Sequence, residues 1–591
     1  MTTQDQRTAA EPSSQLWSRG RRLMLRLPIF IMLIGILVYV SNATTVPWSN
    51  EPTGRTIASL DADTAVTFDN PRHVALHQIG DYDVVERTVY FDAKQPSTGE
   101  TQHIRMLIRE PNVADDGSVD GSAGDATGSA GTAATKDNLP AVVFMHGAGH
   151  GGTPDDSFGD IATDMASAGF VTAVIDKPIW STNDVTRDYP ASAAAYDQAI
   201  ETLRDLPNVD SANVGIYATS ESTWISSYLL QQDHDIAFQI LLSPMVFTPR
   251  QSLGFLAAQD FTLVGANGGY QSIVHRVFSF DTALIGLTNF DLADIPNATA
   301  YSIPTFIAYG SKDVMTAQVD GTETILDLAR AAGNTDVTVR TYPIANHVMR
   351  LGSDEEAGTP FADAYTRDVI DWAAGTVAGL TQTSERVAGD SLYQSIAVPD
   401  DPVARRGLTV YGLLLHASMA VTLLVALVVA VIAAVIAAGC SLRGRLRGRR
   451  NVLGFAHGFG HALLTLTLTT VATLLLFAAG LGQVIMGVVR LAWGSAPGDD
   501  PGIMRWSWPV IQIVCTLVVW AWSGVFARLI EVAASRGILQ WPPRAGSIRA
   551  VVTGREPVLA STRLGRVLFW SVVSAMLHIL LFFAFWGLFV Y

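Results

Sequence analysis

The sequence predicts an α/β protein with a doubly wound, mostly parallel sheet, joined to an α-helical transmembrane bundle. Five long apolar runs divide the 591-residue chain, of which 49% is hydrophobic. Between the first and second runs, short apolar stretches alternate with helical patterns, as in a parallel sheet covered on both faces. In that region a serine follows one strand and directly precedes a helix.

The five apolar runs are each long enough to cross a membrane, because about 20 helical residues span a hydrocarbon layer of roughly 30 Å. A cleaved signal peptide is the alternative for the first run, but its apolar stretch exceeds the roughly 7 to 15 residues usual in such peptides. We therefore expect a cytoplasmic head at 1–22, a retained anchor at 23–41 and a four-span domain at 406–591. The runs lie at 23–40, 408–438, 453–489, 509–527 and 567–590.

Arginine placement predicts the orientation, since positively charged flanks and short loops stay in the cytoplasm. The head and the loops at 441–452 and 528–566 together contain 16 arginines and no lysine. We therefore expect a multi-pass plasma-membrane protein with a cytoplasmic amino terminus. Residues 42–405 would form the extracytoplasmic domain.

Charge and cysteine content exclude several classes of function for that domain. It has 18 lysines and arginines against 48 acidic residues, whereas the tail from Arg405 has 16 against 4. So acidic a surface repels nucleic acid, which excludes a nucleic-acid role. The two cysteines, Cys440 and Cys515, lie in or beside membrane spans and indicate no disulfide, redox or zinc site. We expect no cofactor and no metal.

Two stretches of the outer domain interrupt its strand and helix pattern. A polar spacer at 41–81 precedes the first strands, and 112–138 is rich in Gly, Ser, Ala, Thr and Asp. Because 112–138 has almost no large apolar residue to bury, we expect a flexible surface insertion. An apolar insertion at 244–304 falls where a doubly wound sheet opens its ligand crevice. It is interpreted as a lid over the site, with ordinary helical packing as the alternative.

The strand ending at Tyr217 leads into Ser220 and then directly into a helical run, which is the pattern of a nucleophile elbow. Asp313 follows a later strand, and His347 follows the last one. This order of serine, aspartate and histidine, with the elbow, resembles the α/β-hydrolase fold family. The resemblance is strongest to its dienelactone-hydrolase and prolyl-oligopeptidase-like branches, and it covers 84–379.

The resemblance implies a role for each of these residues. Ser220 would be the nucleophile, His347 the general base and then acid, and Asp313 the carboxylate that fixes the imidazole tautomer. The oxyanion hole would use the N–H of Glu221 and one N–H from the turn at 147–149. The expected members of this turn are Gly147 and Ala148, and the expected pocket residues are His146, Trp180 and Trp224.

The sequence departs from the family pattern G-x-S-x-G, because Ala218 and Ser222 replace the two glycines. Small residues are tolerable there but strained. Ser222 is a rival nucleophile, although that choice would put Trp224 at the second glycine position. Asp176 is an alternative acid. A turn aspartate and a surface histidine are the alternative interpretations of Asp313 and His347.

Four histidines fall within the predicted spans. His457 and His461 would share one helix face, a spacing that could hold a metal or haem or move a proton. Because the spans have almost no acidic residue, interhelical hydrogen bonding is favoured. The other two are His416 and His578.

Together these features predict a membrane-bound, extracytoplasmic serine hydrolase, an esterase, thioesterase or acyltransferase, that works through an acyl-enzyme. The apolar insertion and the membrane tether favour a lipidic or envelope-associated ester as substrate, and membrane lipid as partner. The alternative from a different class is a ligand-binding or transport-linked membrane protein with a degenerate, non-catalytic hydrolase domain.

Overall fold

The computed structural model describes residues 18–48, 52–57, 65–113, 138–148, 152–182, 187–292, 294–352, 359–384, 386–399, 402–447, 452–456, 458–492, 495, 501–535 and 558–591. Most of the predicted surface insertion at 112–138 lies outside these ranges. So do Gly149 and His457.

A nine-stranded sheet forms the centre of the sheet domain, by which we mean strands β1–β13 and helices α2–α9. Its order is β3-β4-β6-β5-β7-β8-β9-β10-β12. The β3/β4 and β4/β6 pairs are antiparallel and every later pair is parallel. The mostly parallel sheet predicted from the apolar strands is confirmed. The strands are β1 Pro52–Ile57, β2 Phe68–Asp69, β3 Val84–Lys94, β4 Thr101–Pro111, β5 Leu139–Met145, β6 Val171–Ile175, β7 Val209–Thr219, β8 Gln239–Leu242, β9 Thr305–Gly310, β10 Val337–Tyr342, β11 Thr381–Gln382, β12 Val387–Gly389 and β13 Leu392–Ile396.

Helices cover both faces of this sheet, which makes it doubly wound. Buried residues of α4, α5 and α8 form one apolar core, and those of α2 and α9 form a second core on the opposite face. The strands between the two cores are buried almost throughout, which explains their continuous apolar sequences. The helices are α2 Gly159–Ser167, α3 Ile179–Thr182, α4 Tyr189–Arg204, α5 Ser222–Gln232, α6 Pro249–Leu263, α7 Gly268–Val277, α8 Gln318–Ala331 and α9 Tyr365–Val377.

The predicted polar spacer at 41–81 is not simply a linker. Strand β1 pairs antiparallel with β13, and β2 pairs antiparallel with β11. The segment that leaves the first apolar helix is therefore tied to the last strands of the sheet domain. Strands this short carry little periodic signal, which is why the sequence pattern did not reveal them.

Five helices among the described residues are long and apolar enough to cross a membrane. The first helix packs against α12, where the guanidinium of Arg26 lies 4.2 Å from the ring centre of Trp520. Arg22 forms an ion pair of 3.2 Å with Glu531 of the same helix. The third helix begins at Phe459, later than the predicted 453. The helices are α1 Arg19–Ala43, α10 Arg406–Arg447, α11 Phe459–Ala492, α12 Ile503–Ser535 and α13 Arg563–Phe585.

The insertion at 244–304 lies against this bundle and contains α6 and α7. The Tyr270 hydroxyl is 2.8 Å from the Ser507 hydroxyl of α12. Phe255 and Phe261 belong to the same buried apolar cluster as the core of the bundle. The insertion therefore packs on the bundle. We call it the docking insertion below.

Candidate active site

The turn between β7 and α5 has the geometry expected of a nucleophile elbow. Ser220 adopts a positive φ of 53°, a left-handed conformation that few non-glycine residues take. Its N–H donates to the carbonyl of Leu242 at the end of β8, at 2.9 Å. Such strain persists only where the surrounding structure imposes it, and it concentrates at functional sites.

Asp313 and His347 meet at the carboxyl edge of the same sheet. Nδ1 of His347 lies 3.0 Å from Oδ1 of Asp313, although 34 residues separate them along the chain. Both side chains are buried, at 8% and 0% exposure for histidine and aspartate. Because one carboxylate oxygen accepts from Nδ1, the ring carries its proton there, which leaves Nε2 as the nitrogen able to act as a base.

Hydrogen bonds fix the Asp313 carboxylate. It also accepts from the N–H of Met315 at 2.8 Å and from the Thr316 hydroxyl. Burial alone would raise the pKa of Asp313. The charge of His347 and the three hydrogen bonds outweigh burial, so the pKa lies below its ordinary value. The carboxylate therefore stays ionised and available to an imidazolium.

The histidine loop is attached to the strand next to the elbow. Ser243, which directly follows Leu242, donates from its hydroxyl to the carbonyl of His347 at 2.8 Å. Gly310, at the end of β9, lies so close to this loop that a Cβ there would be 2.3 Å from the carbonyl oxygen of Asn346. The loops after β7, β8, β9 and β10 therefore converge at one edge of the sheet, where doubly wound proteins bind ligands.

The predicted oxyanion turn lies beside the elbow. A Cβ on Gly147 would be 2.9 Å from the carbonyl oxygen of Thr219 and 3.4 Å from Cβ of Ser220, so only glycine fits. Within the described chain, neither the N–H of Ala148 nor that of Glu221 donates a hydrogen bond to a protein acceptor. Oxyanion holes are built from backbone N–H groups that are not bonded to protein acceptors, so these two N–H groups stay the candidates for that role.

The two rival residues are engaged elsewhere. Ser222 is fully buried, and its hydroxyl lies 2.8 Å from the carbonyl of Met145 and 2.7 Å from the N–H of Thr219. The Ser222 side chain therefore stabilises the backbone of the elbow. Asp176 accepts from the N–H of Arg105 at 3.2 Å. This contact points it to the β4 side of the sheet.

The three predicted pocket residues are all buried, and they do different things. His146 lies within 2.7 Å of the carbonyl of Ile175, and burial lowers its pKa to about 4, so its ring is neutral. Trp180 belongs to the core that contains α4. Trp224 donates to the carbonyl of Phe247 at 2.8 Å. Phe247 in turn lines a small cavity with Pro244, Met245, Val246, Ser252, Met315 and Ala317.

The sequence did not predict the partners of the Glu221 side chain or the buried carboxylate of Asp260. The side chain of Glu221 accepts from Arg187 at 2.6 Å and from the Tyr189 hydroxyl at 3.1 Å, and Lys177 lies 3.5 Å away. Asp260 of α6 is fully buried, and neither of its carboxylate oxygens has a hydrogen-bond partner among the described residues. Isolated charged residues in unrelated segments carry no sequence signal of such proximity.

The histidines of the apolar helices form local hydrogen bonds. His416 lies 2.6 Å from the carbonyl of Gly412 through Nδ1, and its Nε2 accepts from the indole of Trp586 at 3.1 Å. His578 lies 2.8 Å from the carbonyl of Ser574. Only the bond between Trp586 and His416 joins two different segments, as the interhelical interpretation expects, because the contacts to Gly412 and Ser574 lie within single helices. The proposed pair with His461 cannot be described, because His457 lies outside the described residues.

No family model matches the chain, and no curated protein matches it. Several solved structures are similar to parts of it. A putative dipeptidyl aminopeptidase IV from Bacteroides ovatus is 14% identical over 53% of this chain, which spans only 37% of that protein, with a TM-score of 0.33. A hypothetical protein from Pseudomonas aeruginosa is 15% identical over 54% of this chain and 99% of its own, with a TM-score of 0.32.

A putative dienelactone hydrolase from Klebsiella pneumoniae is 14% identical over 49% of this chain and 99% of its own, with a TM-score of 0.29. Because all three TM-scores are below 0.5, the strand order and the elbow carry the fold assignment. In the sheet, β4 runs antiparallel to both of its neighbours, β6 lies between β4 and β5 so that chain order and sheet order differ, and a serine elbow follows β7. The chain therefore combines the α/β-hydrolase fold with five long apolar helices.

Proposed function

We propose that this chain is a membrane-anchored serine hydrolase that cleaves or transfers the acyl group of an ester through an acyl-enzyme on Ser220. The hydrogen bond between His347 and Asp313, at the sheet edge that also holds the strained serine, is the observation that supports it most. In this proposal Ser220, His347 and Asp313 take the roles of nucleophile, base and acid of a catalytic triad.

These roles define the steps of the proposed acyl transfer. The hydroxyl oxygen of Ser220 attacks the substrate carbonyl carbon while Nε2 of His347 takes the hydroxyl proton. The carbonyl π electrons move to the oxygen, which the N–H groups of Ala148 and Glu221 stabilise. Collapse of the tetrahedral intermediate expels the alcohol or thiol, which receives the proton from His347. Water or a hydroxyl acceptor then repeats the sequence on the acyl-enzyme.

A lipidic or envelope-associated ester is the proposed substrate class. The loop that follows β9, residues 311–317, includes Asp313 and also Val314 and Ala317, which pack against the apolar cluster shared by α6, α7 and the bundle. We call this loop the acid loop. Phe247, at the opening of the docking insertion, packs against the same cluster. The proposed catalytic acid therefore borders the cluster that joins the docking insertion to the apolar helices. The small cavity that Met315 and Ala317 line is mainly apolar.

The site is proposed to face outward, with the amino terminus in the cytoplasm and the protein in the plasma membrane. The distribution of arginine supports this orientation. Alkaline phosphatase fused after β1, and a fluorescent protein fused at the amino terminus, would test it. Activity of the phosphatase together with fluorescence is expected. The reverse pattern would place the site in the cytoplasm.

A fluorophosphonate probe applied to the full-length protein in detergent tests the catalytic proposal. Labelling of the wild type, with none of Ser220→Ala, is expected. A folded wild type that resists the probe would favour the alternative, a ligand-binding membrane protein. Hydrolysis of p-nitrophenyl esters of increasing chain length would then test the substrate class, and preference for long acyl chains is expected. Addition of an alcohol would distinguish transfer from hydrolysis.

A further inference from the structure

A buried charge cluster lies directly behind the proposed oxyanion hole. Its members are Lys177, just after β6, Glu221, next to Ser220, and Arg187. The side chains of Lys177 and Glu221 are only 3% and 5% exposed. Charges are not left in such positions without a partner, because desolvation is costly.

The Lys177 ammonium donates a hydrogen bond to the carbonyl oxygen of Gly147. That oxygen belongs to the peptide group whose N–H is the N–H of Ala148. In a planar trans peptide the carbonyl and the N–H point in opposite directions. A cation on the carbonyl side therefore fixes the direction of the Ala148 N–H and polarises it towards greater positive charge.

The backbone is shaped to let Lys177 approach. The N–H of Lys177 donates to the carbonyl of Gly152 at 2.7 Å. Gly152 has a φ of +103°, and a Cβ there would be 2.9 Å from Cβ of Lys177. Only glycine combines that conformation with that proximity. The lysine is therefore held in place by its main chain as well as by its ion pair.

Glu221 connects both donors of the hole to this cluster. Its N–H is one proposed donor, and its carboxylate is held by Arg187 at 2.6 Å and by the Tyr189 hydroxyl at 3.1 Å. The carboxylate also lies 3.5 Å from the lysine that holds the other donor. Preorganised donors in a water-poor site act more strongly than the same groups in water.

We propose that Lys177 is a positioning residue of the oxyanion hole, which acts through the Gly147–Ala148 peptide and is held by Glu221. This inference rests on the proposed function. Its effect belongs to the transition state, because the negative charge on the substrate oxygen develops only there. Loss of Lys177 should therefore lower kcat and leave KM nearly unchanged.

The test compares full-length Lys177→Met with Lys94→Met, which changes an exposed lysine at the end of β3. With p-nitrophenyl butyrate, kcat of Lys177→Met should fall by about 10- to 100-fold. This decrease is no larger than the one that follows removal of a whole oxyanion-hole donor. Binding of an alkyl trifluoromethyl ketone, whose hemiketal oxygen would occupy the hole, should weaken by a similar factor. Lys94→Met should change neither quantity.

Lys177→Gln and Lys177→Arg provide the second comparison, in case the methionine variant does not fold. The glutamine variant retains a hydrogen-bond donor without charge, and the arginine variant retains the charge. Activity should follow the order wild type, arginine, glutamine. Folded Lys177 variants with kcat and ketone affinity within twofold of the wild type would overturn the inference. An inactive wild type that is not labelled by the fluorophosphonate would instead contradict the proposed function.

Discussion

Gln259 on α6 donates a hydrogen bond to the carbonyl of Val314, 2.8 Å away, one residue after Asp313. Its side-chain oxygen also accepts from the Ser395 hydroxyl of β13 at 2.8 Å. One side chain of the docking insertion thus contacts both the acid loop and the strand that closes the sheet domain. Because α6 packs on the bundle, the position of Asp313, the proposed catalytic acid, depends on that packing.

Gly480→Ala should destabilise the protein and lower its activity. A Cβ at this position of α11 would lie 2.1 Å from the hydroxyl of the buried Tyr270. Overpacking of this kind costs about 1–3 kcal/mol. Thermal unfolding in detergent, with ester hydrolysis, measures both effects. The control is Gly482→Ala on the same helix, which meets nothing within 4 Å. Equal unfolding temperatures for the two variants would contradict the described docking.

Asp313→Asn should lower kcat by about 10⁴-fold while the fold is retained. The amide NH2 would donate to Nδ1, which moves the ring proton to Nε2 and removes the base, and the neutral amide would not stabilise an imidazolium. Initial rates with a p-nitrophenyl ester check the expectation. Asp176→Asn, at the alternative acid position, serves as the matched comparison. A larger loss at Asp176 would assign the acid to that position.

Gly147→Ala should slow acylation by about 100-fold or more, comparable to the loss of an oxyanion donor. The added methyl would collide with the carbonyl of Thr219, and the turn would move away from Ser220. The rate of fluorophosphonate labelling reports this step directly. Gly407→Ala, which has open space around it, is the control. Labelling of Gly147→Ala at the wild-type rate would show that this turn is not part of the oxyanion hole.

Asp260 should make the protein less stable as the pH rises. Burial, with the nearby charge of Asp313, raises the pKa of Asp260 to about 8 from 3.8. Between these pH values the folded state keeps a proton that the unfolded state has released. The free energy of unfolding therefore falls by up to about 1.4 kcal/mol per pH unit. The stabilisation that protonated Asp260 gives the folded state is fully present below its pKa in the unfolded chain. It is lost as the pH rises to the folded-state pKa of about 8.

Asp260→Asn removes this group and should flatten the dependence of unfolding temperature on pH between 5 and 8. The exposed position Asp205 provides Asp205→Asn as a control. Parallel curves for wild type and Asp260→Asn would show that Asp260 is ionised in the folded state.

The sequence predicted the features that depend on local pattern. The elbow is visible because Ser220 stands directly between a strand and a helix, and the mostly parallel sheet follows from the alternation of apolar strands with helices. The order of the strands does not follow from that pattern. The contacts of Lys177 and Asp260 could not be predicted. Each depends on segments that meet only when the sheet is complete, and neither residue type signals its distant partner.

The packing of α6 and α7 on the bundle could not be predicted from the sequence either. Aromatic residues at 244–304 suggested a lid, because an apolar insertion near a crevice often covers it. Whether such a surface covers a ligand or packs on other helices depends on tertiary contacts of distant segments. Here Tyr270 and Phe261 pack against the bundle.

The partners of α6 and α7 are synthesised after them, since Ser507 and Trp508 come more than 200 residues later. A chain truncated after β13 would expose Phe255, Phe261 and Tyr270 to water and would be prone to aggregate. A soluble catalytic fragment for crystallisation would therefore need polar substitutions on these two helices. Deleting the spans alone would not produce it.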